Sequence, residues 1–165
     1  MAESREEEVV RAGLSEEEMR SNLLRLAFDG DEAKLARFLA ELVLVLPKDT
    51  AGVMRGSSVT GVRWEDGAPF DADGPGTSDL DLTLVGGEVV DWFDPAAFYI
   101  AGVHSMPLCD ENPDAAPRLV PLRSTLTSMV GRPVNIQATK DWIMFLREHL
   151  MGQPYLTLIG KIEDA

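Results

Sequence analysis

Apolar positions along the chain fall first at helical spacing. Ser15 with Glu18 forms a capping-box signature, and Met19, Leu23, Leu26 and Ala27 follow it on one face. Asp29-Gly30-Asp31 interrupts this run. A second helix begins at Asp31, carries Leu35, Phe38, Leu39, Leu42, Val43 and Leu46 as a stripe, and stops at Pro47. The period then changes. Ala51–Arg55 reads as a short strand entering Gly56-Ser57-Ser58, residues 61–78 are a glycine- and proline-rich loop, and Asp79–Val85 alternates with Leu80, Leu82 and Leu84 on one face. After the Gly86-Gly87 turn, Glu88–Phe93 and Phe98–Val103 are expected as strands, with Pro107–Pro117 as a polar loop. Leu119, Leu122, Leu126, Met129 and Val130 predict a helix ending at Gly131, and Arg132–Gln137 a strand. Trp142, Phe145, Leu146 and Leu150 predict a helix closed by Gly152, and Tyr155–Ile159 a last strand. This mixture defines an α/β (α+β) fold, expected as one domain over 15–165 after a flexible acidic lead-in over 1–14.

Charge narrows the partners. The 165 residues carry 28 acids against 15 Lys and Arg, a net charge of −13. Such a balance repels nucleic acid, whose non-specific affinity comes from cations that displace counterions at phosphates. The single cysteine, Cys109, excludes an internal disulfide and a thiolate zinc cluster. No apolar run is long enough to span a membrane, and the N-terminus lacks the pattern of a signal peptide, so a cytoplasmic protein is expected. The acids are concentrated: Trp64–Pro117 contains no Lys or Arg. Crowded carboxylates form a solvated surface or gain from a bound hard cation such as Mg²⁺, Mn²⁺ or Ca²⁺.

Two segments together carry candidate chemistry: Gly56-Ser57-Ser58-Val59-Thr60-Gly61 and Ser78-Asp79-Leu80-Asp81-Leu82. Residues i and i+2 of a strand point the same way, about 6–7 Å apart. Asp79 and Asp81 therefore project together from the face opposite the leucines, either into solvent at a strand edge or onto a shared divalent ion. The Gly-Ser turn offers backbone N–H groups and a hydroxyl to a phosphate.

The Gly-Ser-x-x-x-Gly stretch followed by Ser-Asp-x-Asp-Leu resembles the signature of the DNA polymerase β-type nucleotidyltransferase superfamily, especially its minimal-nucleotidyltransferase-like members. The resemblance covers Val53–Val85. It implies a mixed sheet flanked by helices, with Gly56 and Ser57, and beside them Arg55 and Ser58, at the triphosphate of an NTP. It also implies that Asp79 and Asp81 are catalytic ligands of Mg²⁺ or Mn²⁺. Two departures stand out. The Val62–Thr77 insertion is longer than in minimal members. The third carboxylate of catalytic members falls at Val134-Asn135-Ile136, where Asn135 supplies a neutral amide that cannot act as a base. Either Asp91 or Asp94 replaces that acid in space, or catalysis is impaired.

Competing patterns are weaker. Asp71-x-Asp73 with Gly76 imitates part of an EF-hand loop, but Pro75 and Leu82 occupy ligand positions and a strand follows. His104 and His149 have no metal-ligand spacing, and Trp142 and Phe145 read as core. Two functions follow. One is a metal-dependent transfer of NMP from an NTP to a hydroxyl on a small-molecule or protein acceptor. The other is a catalytically impaired, antitoxin-like or regulatory module that binds nucleotide or a protein.

Overall fold

The computed structural model describes residues 14–162. The lead-in expected over 1–14 lies outside them except for Leu14, which packs against the core. Helix α1 (Glu16–Ala27) starts where the Ser15 hydroxyl accepts the Glu18 N–H at 3.0 Å. Asp31 caps α2 (Glu32–Val45) by accepting the N–H groups of Ala33 and Lys34. Both helices bury one apolar face, with Leu23, Phe28, Leu35, Phe38 and Leu42 wholly inaccessible. Among the described residues no helix is long and apolar enough to cross a membrane.

The core of the fold is a six-stranded mixed sheet. Strand β1 (Ala51–Arg55) leads through a single helical turn, α3 (Ser57–Thr60), and the long loop into β2 (Leu80–Val85). After α4 (Gly87–Val90) come β3 (Phe98–Ile100) and β4 (His104–Ser105), then α5 (Val120–Val130) and β5 (Val134–Thr139). A helical turn α6 (Trp142–Phe145) widens into a π turn over Leu146–Leu150 and leads to β6 (Tyr155–Ile159). The spatial order is β3-β4-β5-β2-β1-β6, with β1 antiparallel to β2 and β6, and β2 parallel to β5.

The two faces of this sheet differ in chemistry. Leu80, Leu82 and Leu84, with Met54, Val134, Ile136 and Ala138, share one large core with α1, α2 and α5. The opposite face is polar beside a small cluster of Val53, Trp142, Phe145 and Leu150. It carries Arg55, Asp81, Thr83, Asn135, Gln137 and Thr139, because each alternates with a core residue along its strand. Leucine alternation in β2 thus holds as expected, and Trp142 and Phe145 are core.

Three expected elements differ. Glu88–Phe93 is not a strand: α4 and a following turn place Val89, Val90 and Phe93 inward together, with Phe93 N–H bonded to the Val90 carbonyl. The strand expected over Phe98–Val103 stops at Ile100, since Gly102, at φ +70°, turns the chain back into β4. The strand expected at Arg132–Gln137 is displaced to Val134–Thr139. Pro133 has no N–H for the ladder, and Arg132 is engaged elsewhere.

That engagement shapes the loop before β2. The guanidinium of Arg132 donates to both carboxylate oxygens of Asp71, at 2.7 and 3.0 Å, and to the Ser78 carbonyl at 2.9 Å. Asp71 also accepts the Ser78 and Gly76 N–H groups, while the Ser78 hydroxyl accepts the Asp71 N–H. Arg132 stacks over the Phe70 ring at 4.4 Å. The bond from Arg132, ahead of burial that opposes it, holds the Asp71 carboxyl down at about 2. The clamp ties the residue before Asp79 to the start of β5.

Because its folded-state pKa is depressed, Asp71 contributes stability that is present above the ordinary pKa and lost as pH falls through about 2. Asp71→Asn should therefore cost about 1–2 kcal/mol at neutral pH, allowing for solvent screening. The gap from wild type in urea midpoint should narrow below the ordinary carboxyl pKa of 3.8. A gap that does not depend on pH would show that the clamp acts by shape alone.

Candidate functional site

Parallel pairing of β2 with β5 builds the site. The register sets Asp81 beside Asn135, and antiparallel pairing with β1 sets Arg55 beside Asp81 on the other side. Asn135 Nδ2 donates to Asp79 Oδ2 at 2.6 Å and reaches Asp81 Oδ1 at 3.4 Å. The third position suggested by resemblance is therefore in contact with both aspartates. Asp91 and Asp94 are not: both follow the Val85 end of β2, the end opposite Asp79 and Asp81, and neither lines the cleft described next. Of the two alternatives for the missing third acid, replacement by Asp91 or Asp94 therefore has no support from their position.

Gly56 closes the other side. It adopts φ +89°, ψ −165°, a conformation open essentially to glycine alone, and a Cβ there would lie 3.1 Å from Asp81 Oδ2. The turn thus packs its bare Cα against the carboxylate and starts α3, whose first N–H groups have no partner within a helix. α1 steadies this turn, since Asn22 Nδ2 donates to the Val59 carbonyl at 2.8 Å.

A cleft of about 350 Å³ opens at this end of the sheet, with Arg55, Gly56, Ser57, Asp79 and Asp81 along one side. Arg63, Trp64, Glu65 and Asp73, from the long insertion, line it too. Arg63 is held by Asp66 at 3.3 Å and Asp73 at 3.1 Å, which folds the insertion onto itself. Ser58 does not take part: it is fully buried, outside the cleft, and its hydroxyl has no hydrogen-bond partner. Arg55 does take part. Its Nη2 donates to Gln137 Oε1 at 2.7 Å and lies 3.4 Å from His149 Nε2. Gln137, His149, Arg132 and Asp71 were not singled out as site residues from sequence. The signal that could have found the clamp is the strand pairing itself, which brings the residues just ahead of β2 and β5 side by side.

Burial, and then the charge of Asp79, push the Asp81 carboxyl up to about 6, against the opposing pull of Arg55 and Asn135. The pair is thus short of positive charge. Two carboxylates supply oxygen donors, and the Asn135 amide, turned over, supplies a third oxygen. These residues fit a hard divalent ion such as Mg²⁺ or Mn²⁺, with one charge fewer than three carboxylates would give. No group of three or more His, Cys, Asp or Glu suited to a metal occurs among the described residues. No family model matches the chain, nor does any curated protein or solved structure.

A raised pKa means that the folded state holds this proton more tightly than the unfolded chain. Asp81 therefore favours folding at low pH, and that contribution is lost as pH rises through about 6. Asp81→Asn should raise the melting temperature by a few degrees at pH 7.5, with the difference fading below pH 4. Gly56→Ala should instead lower stability by about 1–3 kcal/mol, measured by chemical denaturation. An unchanged midpoint would place the turn away from Asp81.

Proposed function

We propose that the chain binds an NTP with Mg²⁺ or Mn²⁺ in this cleft and transfers NMP to a hydroxyl on a small molecule or protein. The observation that supports this most is the convergence of the Gly56-Ser57 turn, Arg55, Asp79 and Asp81 on one cleft. In this reading the hydroxyl oxygen bonds to the α-phosphorus as its proton passes to solvent, the bond to the bridging oxygen breaks, and pyrophosphate leaves with its electron pair. Asp79 and Asp81 would hold the cation, which when bound offsets phosphate charge and eases loss of the hydroxyl proton. Backbone N–H groups at Ser57 and the Arg55 guanidinium would meet the phosphates. The net charge of −13 disfavours a nucleic-acid acceptor. A cytoplasmic setting belongs to this reading, as it supplies NTP and suits the free, buried thiol of Cys109.

One observation favours a second reading, a nucleotide-binding module with little or no turnover. Asn135 spends its amide N–H groups on both carboxylates and has no proton-accepting role. Pyrophosphate release with Mn²⁺, a panel of NTPs and simple alcohols, alongside calorimetric NTP binding, separates the two. Wild type should release pyrophosphate, and Asn135→Asp should raise the rate about tenfold or more. NTP binding with no release from either protein favours the module. If neither binds NTP in the presence of Mn²⁺, both readings fail.

A further inference from the structure

A second cavity, of about 190 Å³, lies on the polar side of the sheet beneath the turn from α6 into the π turn. The β3–β4 hairpin contributes Tyr99, Ile100 and His104 to it, and the helical turn contributes Met144, Phe145, Glu148 and His149. Its walls are largely rings. His104 lies 4.7 Å from Phe145 and 5.0 Å from His149, centroid to centroid, and Phe145 stacks on His149 at 5.0 Å. Tyr99, 56% exposed, stands 6.0 Å from each imidazole.

The polar groups here are unusual. His104 is only 5% exposed, yet its Nε2 has no hydrogen-bond partner. A buried polar atom without a partner is costly, and a void left by imperfect packing is normally lined by apolar groups alone. His149 is differently placed: its Nε2 faces Arg55, which can only donate, so that nitrogen is an acceptor and the ring is neutral. Burial, followed by the nearby charges, lowers the pKa of both imidazoles, that of His104 to about 4. An anionic ligand therefore finds no counter-charge on these rings at neutral pH, and the Glu148 carboxylate shares the wall.

We propose that this cavity is a second ligand site, for a neutral planar aromatic ring of phenol or indole size that carries one O–H or N–H group. Ring walls favour a flat π system by stacked and edge contacts. A dry cavity of about 150 Å³ accepts benzene, so this volume suits one small ring system. The unpartnered His104 Nε2 is the polar group that this wall offers to the ligand's O–H or N–H. The proposal does not rest on the nucleotide reading, although His149 on its wall also touches Arg55 of the cleft.

The test is direct because the chain has 2 histidines. Phenol, indole and cyclohexanol are titrated into the full chain while the imidazole signals are followed by ¹⁵N–¹H NMR and the melting temperature is recorded. Phenol and indole should shift both imidazoles saturably in the millimolar range and raise the melting temperature, whereas cyclohexanol should do neither. His104→Phe keeps the ring but removes the polar group and should weaken phenol about threefold to tenfold. Met144→Trp should fill the cavity and abolish binding; should it fail to fold, Tyr99→Ala, which removes a ring from the wall, should weaken phenol binding instead. The proposal is overturned by absence of saturable shifts, by equal binding of cyclohexanol, or by phenol binding that these substitutions leave unchanged.

Discussion

Two carboxylates that share one amide are the constraint on which the site depends. Asp79 and Asp81 stand on the same side of a strand start, and Asn135 reaches both from the neighbouring strand. Burial raises the cost of ionising Asp81, and the charge of Asp79 beside it adds to that cost. The amide offsets part of the repulsion with N–H groups but brings no charge. The neighbourhood is built to that balance. Arg55 sits beside Asp81 on the other strand, and Gly56 leaves only a bare Cα where a side chain would press on the carboxylate.

Holding such a pair needs rigid supports on all sides, and each face of the sheet supplies a different one. The leucines of β2 bury completely against the helices, which locks the register: a slip by one residue would turn the aspartates into the core. At the strand entrance the Asp71–Arg132 clamp fixes the chain just ahead of Asp79. The acidic tract is also less bare than its composition indicates. Arginines from outside it, Arg63, Arg123 and Arg132, pair with Asp66 and Asp73, Asp110 and Asp71 respectively. Asp79 and Asp81 are set apart from these neutralised acids, since Asn135 and Arg55 are their polar neighbours.

What was legible in the sequence was local. Period-two alternation in Asp79–Val85, the capped helices and the last strand all follow from patterns within a few residues, and they stand in the structure. Glu88–Phe93 differs because a short, largely apolar run after a glycine pair suits a strand or a helical turn equally, and only burial of Val89, Val90 and Phe93 decides. Contacts between distant segments were out of reach. Arg55 meets Gln137 across 82 residues and His149 across 94, and Asp71 meets Arg132 across 61. The position of Asn135 was suggested by resemblance, while its contact with both aspartates depends on the strand order.

The division of labour between the faces has a further consequence. The leucine face is dry and closely packed, so its residues serve stability and tolerate little change of volume. The other face carries three buried polar atoms without partners among the described residues: Arg55 Nε, Thr83 Oγ1 and His104 Nε2. Each belongs to a different strand, β1, β2 and β4, so no single local distortion accounts for all of them. Apolar side chains of similar shape at Thr83 and His104 would remove the unpaired groups and favour folding, whereas at Arg55 they would also strand Gln137 and Asp81. Their presence costs stability, and the cost falls on the face that carries the cleft and the ring-lined cavity. The same face is covered by a short helical element, α6 with its widened π turn, rather than by the long helices. Stability is thus concentrated on one side of the sheet, which leaves the other free to hold unpaired polar groups in positions that packing alone would not select.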